Sequence, residues 1–476
     1  MNNLPTLPES LVHAATPASA LAPGPDTGDV TRRDFVRTSS FAAAMTMLGG
    51  IPLSAGAADA PAPAAAEPAT KVKCAVIGCG VWGRELLNTL ARFPKAEVIA
   101  VCDHYEPFLR RAKEAAPKAE GFTDYKKVLE NKDLQAVLVA TPTHQHKEIV
   151  LAALKAGKHV YCEAPLAHTV EDAREIARAA KDAVKSYFQA GLNLRSDPQR
   201  RFLLPFVRSG ATGQNVKTRA QWHKKNSWKR TSPNPEREQE LNWRLRRESS
   251  TGLVGEAGIQ QIDGMQWYLN KRPVSVTGFG GLLFWQDGRE VEDTAQVVFQ
   301  YGDGTSFNFE ASLATSFDSE YEILYGSDAA IMMRGNKAWL FKEADSPLLG
   351  WEVYARKEQF FSETGIALVA NATKSTKTDA SKSQDENAYA DAPIYFALEA
   401  FLWNTELIAT AVEDFVSTFN PNDSKALREY LAGIQKNKLP AASVIDGYES
   451  TVMVVKANEA VMKKQLIKFE KEWFEI

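Results

Sequence analysis

The stretch that most limits how this chain can fold is KCAVIGCGVWGRELLNTL, residues 73–90. It reads as a short apolar strand, a glycine turn and a helix whose apolar positions recur at helical period. Gly78, Gly80 and Gly83 stand in G-x-G-x-x-G spacing. Each glycine has its own physical reason: Gly78 permits the tight turn, Gly80 lets the backbone approach a pyrophosphate, and Gly83 lets helix and strand pack closely. Val81 and Trp82 open the helix, whose N-terminus faces the phosphate charge. A second apolar run, EVIAVC, leads to Asp103, twenty residues past Gly83. An acid there is expected to take the adenosine ribose hydroxyls and favours NAD over NADP, because a carboxylate repels a 2′-phosphate. Arg110 and Arg111 keep NADP open as the less favoured cofactor.

The alternation continues: LQAVLVATP as a strand, HKEIVLAALKAG as a helix, KHVYCEAP as a strand and TVEDAREIARAAKDA as a helix. This rhythm predicts a doubly wound parallel sheet over residues 71–191. Ligands of such sheets lie beyond the carboxyl ends of the strands. Residues 141–146, 163–165 and 189–195 are therefore expected to line one crevice, with Thr141, Pro142, His146, Glu163, Ala164 and Gln189 on the cofactor. Further on, VSVTGFGG, TAQVVFQY, SFNFEASL and YEILYGS are short β-rich runs separated by Gly and Asp turns. They read as strands of a second domain over residues 192–476.

Composition excludes several classes. A net charge of −3, with basic residues scattered, gives no reason to expect nucleic acid or an anionic membrane as partner. Cys74, Cys79, Cys102 and Cys162 match no zinc spacing and read as small buried hydrophobes, and no metal site is expected. The beginning of the chain is different. TRRDFVR places Arg32 and Arg33 before the apolar run FAAAMTMLGGIPL, as in a twin-arginine export signal, here assigned to residues 1–60. An Ala/Pro-rich linker, 61–70, follows. The expectation is a protein folded in the cytoplasm, handed to the twin-arginine machinery and delivered to the periplasm with no membrane span in its mature form. Residues of about 371–393, NATKSTKTDASKSQDENAYADAP, are expected to form an exposed flexible loop.

The glycine fingerprint, ATPTHQH and ALKAGKHVYCEAP together resemble the Gfo/Idh/MocA superfamily of glucose-fructose oxidoreductases and inositol dehydrogenases. GLNLRSDPQRRFLLPFVRSGATG resembles that family's crossover into its second domain. The resemblance implies that the second domain is an α/β unit with an open, mostly antiparallel sheet, one face over the nicotinamide and the other available to a second copy, hence a homo-oligomer. It also implies a catalytic lysine after the glutamate of a Glu-Lys-Pro triplet, and here that triplet is Glu163, Ala164, Pro165. Ala164 cannot donate a proton. A family Asp and His four residues apart, with a third acid one turn on, correspond to Glu256, Gln260 and Asp263 in GEAGIQQIDGMQW. These three share a helix face and can point into one pocket.

Gln260 does not titrate, so the general base is sought elsewhere. His223, Lys224 and Tyr325, with Lys225 beside them, are the second-domain candidates; Gln260 is read as a hydroxyl binder or a satisfied packing amide. His144 and His146 follow a strand end. Arg195, Trp222, Glu256 and Asp263 are the expected substrate contacts, and Trp228, Trp243 and Trp267 add aromatic faces of the kind sugars stack on. Free nicotinamide nucleotide is scarce outside the cytoplasm, so an exported enzyme is expected to hold its NAD and regenerate it in place. Sugar or polyol oxidation with a recycled cofactor is the first expectation. A glycoside hydrolase or lyase working through a transient 3-keto sugar is the alternative that the resemblance implies, and a non-catalytic sugar-binding protein is the third.

Overall fold

The computed structural model describes residues 71–348, 352, 355, 357–360, 363–368 and 391–476. The expected leader, the linker and nearly all of the expected loop at about 371–393 lie outside them. The first domain runs β1 (Val72–Ile77), α1 (Val81–Leu90), β2 (Ala96–Cys102), α2 (Glu106–Ala115), β3 (Glu120–Phe122), α3 (Tyr125–Leu129), β4 (Ala136–Val139), α4 (His146–Lys155), β5 (His159–Glu163), α5 (Val170–Asp182) and β6 (Phe188–Gly191). Its six strands pair in the order β3-β2-β1-β4-β5-β6, all parallel. The central strands are buried on both faces, which is why β1, β4 and β5 read as continuous apolar runs rather than alternating ones. The direction of winding reverses between β1 and β4, and the crevice for a ligand opens there, at the strands' carboxyl ends.

The chain crosses through α6 (Pro198–Arg208) into β7 (Asn215–His223), then α7 (Pro235–Leu241), α8 (Gly252–Leu269), β8 (Ser275–Gly281), β9 (Thr294–Gln300), β10 (Ser306–Ser312), β11 (Glu320–Gly326), β12 (Ala329–Arg334), β13 (Lys337–Lys342), β14 (Lys357–Phe360) and β15 (Glu363–Ala367). It ends with α9 (Pro393–Thr418), α10 (Ser424–Gly433), α11 (Val444–Lys463) and β16 (Ile467–Lys468). The ten strands form one sheet, β14-β15-β13-β12-β11-β7-β10-β9-β8-β16, with antiparallel pairs except β7 against β10. Strand alternation gives this sheet two faces. Thr218, Ala220 and Trp222 of β7, with Phe307 and Phe309 of β10, point inward toward α8, where Gly258 leaves room for the Phe309 ring. Lys217, Arg219, Gln221 and His223 point outward.

One boundary differs from expectation. Residues 192–476 are not all second domain, because α9 turns back onto the first sheet. Leu398, Phe401 and Leu402 share a buried cluster with Val72, Cys74, Val76 and Leu86, and the Phe401 ring lies 5.7 Å from Tyr161 and 6.1 Å from Tyr187. The apolar side of α9 completes the cover of one face of the parallel sheet, beside α1 and α2. No helix of the described residues is long and apolar enough to cross a membrane, and all four cysteines are buried and unpaired.

Candidate functional site

The glycine turn is shaped by its neighbours. Gly78 takes φ +92°, and a Cβ there would stand 2.6 Å from the backbone of Ala140 and Thr141. A Cβ on Gly83 would stand 1.8 Å from the Gly78 carbonyl oxygen. Gly80 is different: a Cβ there would meet only the Phe108 ring, at 4.0 Å. Gly80 caps α1 without a side-chain hydrogen bond, and Val81 and Trp82 behind it are exposed. The uncapped first turn thus presents backbone N–H groups to open space, a fit for a pyrophosphate. Asp103 sits beside the turn; its carboxylate accepts the Cys79 N–H and the Tyr105 N–H, each at 2.8 Å, and keeps lone pairs for two ribose hydroxyls. Arg110 and Arg111 are exposed on α2.

At the ends of β4 and β5 the loops are stapled together. His146 is fully buried, with its ring nitrogens 3.0 Å from the Pro165 carbonyl and 2.9 Å from the Thr141 carbonyl. Burial pulls its pKa down to about 4, so the ring is neutral and its single N–H donates to one of these two carbonyls. It holds the crevice wall rather than reaching a cofactor. Glu163 ends β5, wholly buried, with Oε1 lacking a hydrogen-bond partner among the described residues. Burial pushes its pKa up to about 7, against the pull of Trp82, Tyr161 and the Ala164 backbone. Ala164 lies half-buried next to it, and its peptide to Pro165 is cis. Thr141 Oγ1 is also buried without a partner among the described residues, and Pro142 is half-buried at the same loop. Gln189 faces away: its amide donates to the Ala397 carbonyl at 2.7 Å and accepts from the Tyr187 hydroxyl, so it fastens α9 instead of lining the crevice.

Of the second-domain candidates, the sheet separates the expected bases from the crevice. His223 and Tyr325 both project from the outer face; the Tyr325 ring stacks under Lys217, and His223 Nδ1 lies 3.2 Å from the Phe317 carbonyl. The physical reason is register: Tyr325 pairs with Lys217, one residue out of phase with inward Thr218. Lys224 and Lys225 are exposed just beyond β7. Gln260 is spent on structure, its Oε1 accepting the Asn193 N–H at 2.9 Å and its Nε2 donating to the Gly191 carbonyl at 2.7 Å. Arg195 and Asp263 are tied to each other by a two-pronged pair, with Asp446 and the Ser450 hydroxyl completing a closed network. That network joins α8, α11 and the turn after β6, leaving neither residue free for a substrate.

What does converge on the strand ends is a different group. Glu256 accepts from Thr251 at 2.9 Å and Thr143 at 3.3 Å, and its other oxygen lies 3.3 Å from Arg244. The Arg244 guanidinium in turn lies over the Trp243 and Trp228 rings, with Trp222 next to Trp228. The His144 ring is 6.2 Å from His168 and 6.1 Å from Trp243. Among the described residues Nδ1 of each histidine is buried without a hydrogen-bond partner, His168 Nδ1 lying 3.9 Å from Asp172 Oδ2, and burial lowers the pKa of both, so both rings are neutral near neutral pH. Sequence reasoning missed His168 and Arg244. The signal for His168 was its place just past Pro165, on a loop already expected to line the crevice. Among the described residues no group of three or more His, Cys, Asp and Glu is placed to hold a metal.

Comparison with known proteins agrees with the two-domain fold. The family model described as "Oxidoreductase family, NAD-binding Rossmann fold" matches residues 72–190, and the GFO/IDH/MocA C-terminal domain model matches residues 205–332. The 2,7-anhydro-N-acetylneuraminate hydratase of Escherichia coli is 26% identical over 259 residues, covering 54% of this chain and 66% of that protein. The inositol 2-dehydrogenase of Salmonella typhimurium is 28% identical over 202 residues, covering 42% of this chain and 55% of that protein. The matches thus span just under two thirds, or less, of these relatives' own length. Among solved structures, a levoglucosan dehydrogenase in complex with NADH and levoglucosan superposes with a TM-score of 0.59 at 17% identity, covering 84% of this chain and 99% of that one. An oxidoreductase domain protein from Kribbella flavida reaches a TM-score of 0.61 at 20% identity, covering 84% of this chain and 100% of that one.

Proposed function

The chain belongs to the GFO/IDH/MocA oxidoreductase family, and from that membership we propose that it is an NAD-dependent oxidoreductase of a sugar or polyol, exported to the periplasm with its cofactor held and regenerated in place. The observation that carries the reading is the pairing of an uncapped glycine turn with a strand-end cluster of buried proton-handling atoms that have no hydrogen-bond partner among the described residues. Bound in the turn, the dinucleotide supplies an acceptor and donor of hydride. The chain supplies the rest. Asp103 holds the ribose hydroxyls, and the Trp243 face with Arg244 offers a platform for a sugar ring and a donor for its oxygens.

A hydroxyl being oxidised must lose its proton, and Ala164 cannot take it. Three groups can: the neutral rings of His144 and His168, through a ring nitrogen, and Glu163 through Oε1, which burial keeps close to half-protonated at neutral pH. The acid/base role is therefore assigned to these loops of the first domain, in place of His223, Lys224, Tyr325 and Gln260. A second reading, a redox-neutral hydrolase, lyase or hydratase, is favoured by the presence of more than one such group, because elimination and water addition need an acid and a base together. The relative named as a hydratase supports it. The outer sheet face, rimmed by exposed Leu283 and Phe317, is assigned to a second copy of the chain.

The test is direct. Protein purified without added nucleotide is denatured and its NAD counted, and intact protein is given free sugars, polyols and reporter glycosides. Bound NADH formed in step with sugar oxidation supports the oxidoreductase, and aglycone release or hydration without added NAD supports the second reading. Retained NAD with no turnover of any substrate leaves a sugar-binding protein.

A further inference from the structure

Residues 224–250 leave the second sheet after β7 and return to α8, and on the way they cross to the first domain at two points. At one end α7 lies on the loop after β2. The Arg237 guanidinium sits 4.3 Å over the Tyr105 ring, and its Nη1 is 2.8 Å from His104 Nε2 and 2.7 Å from Glu240 Oε2. At the other end the Trp243 ring meets His144 at the carboxyl side of β4. Between them the segment braces itself: Asn242 bonds the Arg230 N–H and carbonyl, each at 2.7 Å, and the Glu238 carbonyl at 2.7 Å. Lys229 donates to the Asp287 carbonyl and Leu245 accepts the Glu290 N–H, which root the segment in the second domain.

The docking point of α7 is tied to the nucleotide turn. Tyr105 donates its N–H to Asp103, whose carboxylate also holds the turn at Cys79. The Tyr105 ring is edge-on to Phe108 at 4.9 Å, and Phe108 is the side chain nearest the open face of Gly80. Arg237 is therefore one aromatic pair away from the place where a pyrophosphate would lie. We infer that residues 224–250 form a strap across the cofactor crevice and that Arg237, closed on Tyr105 and His104 and braced by Glu240 of its own helix, which also lies 3.3 Å from His104, is the latch that retains the adenosine end of NAD. This rests on the assignment of the cradle made above and deepens it: it says why the cofactor would stay. An ordinary surface ion pair contributes little, but the Arg237 side chain is only 17% exposed and adds a stacked ring to its two polar partners.

Release of NAD from the full-length holoprotein is followed by chasing bound nucleotide with excess isotopically labelled NAD and by counting NAD left after gel filtration. Arg237→Ala is expected to speed release about tenfold, and Arg237→Lys to speed it less, since it keeps the charge but loses the planar stack. Lys271→Ala, which breaks an ion pair with Asp303 away from the strap, is expected to release at the wild-type rate. Should Arg237→Ala fold poorly, Glu240→Ala and His104→Ala, each altering a half-exposed partner, carry the same expectation. Wild-type rates in the latch variants, with wild-type protein full of NAD, overturn the latch alone. Wild-type protein that neither contains nor binds NAD overturns the cradle assignment itself, a result distinct from the first.

Discussion

Gly80 and Gly83 stand three residues apart and answer to different demands. Gly83 has no room, since a methyl would strike the Gly78 carbonyl at 1.8 Å. Gly80 has room in the protein but not once a pyrophosphate lies on the turn. Gly83→Ala is therefore expected to lower both melting temperature and NAD content, whereas Gly80→Ala keeps the wild-type melting temperature of the nucleotide-free protein and loses most of its bound NAD. Equal NAD content in Gly80→Ala and wild type, counted after denaturation, sinks the cradle. Glu163 carries a prediction in pH. Its folded pKa, about 7, lies above the 4.5 of an exposed glutamate, so folding favours the protonated form. The stability linked to it is fully present below pH 4.5 and is lost as pH rises through 7, by on the order of 3 kcal/mol for a wholly buried carboxyl. Glu163→Gln in nucleotide-free protein should flatten the urea midpoint between these pH values; an unchanged slope would place the titration elsewhere. At this scale the glycines and Asp103 were legible because each answers to backbone geometry in one local stretch. Gln189 and His146 were not, because their partners, Ala397 and Pro165, come from the tertiary fold.

Among elements, the helix α8 is where sequence pattern and use diverge. Its positions 256, 260 and 263 do share a face, as period 3.6 requires, but the first domain and α11 occupy that face. Gln260 bolts α8 to the end of β6, and Asp263 locks it to Arg195 and Ser450. Gln260→Ala strips a partner from a buried N–H and a buried carbonyl, so it should cost about 2–4 kcal/mol of stability. Calorimetry and turnover at 20 °C below the melting point separate the two roles: a bolt shows in the melting temperature, and a substrate contact shows in KM with the melting temperature unmoved. The β-rich runs of the second sheet were visible in sequence, yet which face each side chain takes was not. A shift of one residue in register sends a side chain to the opposite face, and that single step separates Tyr325 from inward Leu324. His144 and His168 come together for the opposite reason, since both follow parallel strands that neighbour each other, and adjacency of strand ends in such a sheet follows from order.

For the whole molecule, the decisive fact is that the first domain is finished by the last quarter of the chain. Gln189 on β6 is fastened to Ala397, 208 residues later, and Phe401 fills the space between Tyr161 and Tyr187. A nucleotide domain completed this way includes a helix made late in the chain, so under the proposed export NAD would load onto a complete chain before transport. Export through a channel for unfolded chains would discard it. Folded export, as proposed above, would rest on the paired Arg32 and Arg33. Replacing both with lysine is therefore expected to leave soluble, NAD-loaded, full-length protein in the cytoplasm and to empty the periplasmic fraction of it. Phe401→Ala, which removes about 3–5 kcal/mol of core packing, should also reduce the periplasmic fraction, but by leaving less folded protein and less bound NAD in the cytoplasm. Fractionation with NAD counted in each compartment distinguishes the two failures. Undiminished periplasmic protein in the double lysine variant would mean that the arginine pair does not direct export, and that the cofactor is acquired or retained by another route.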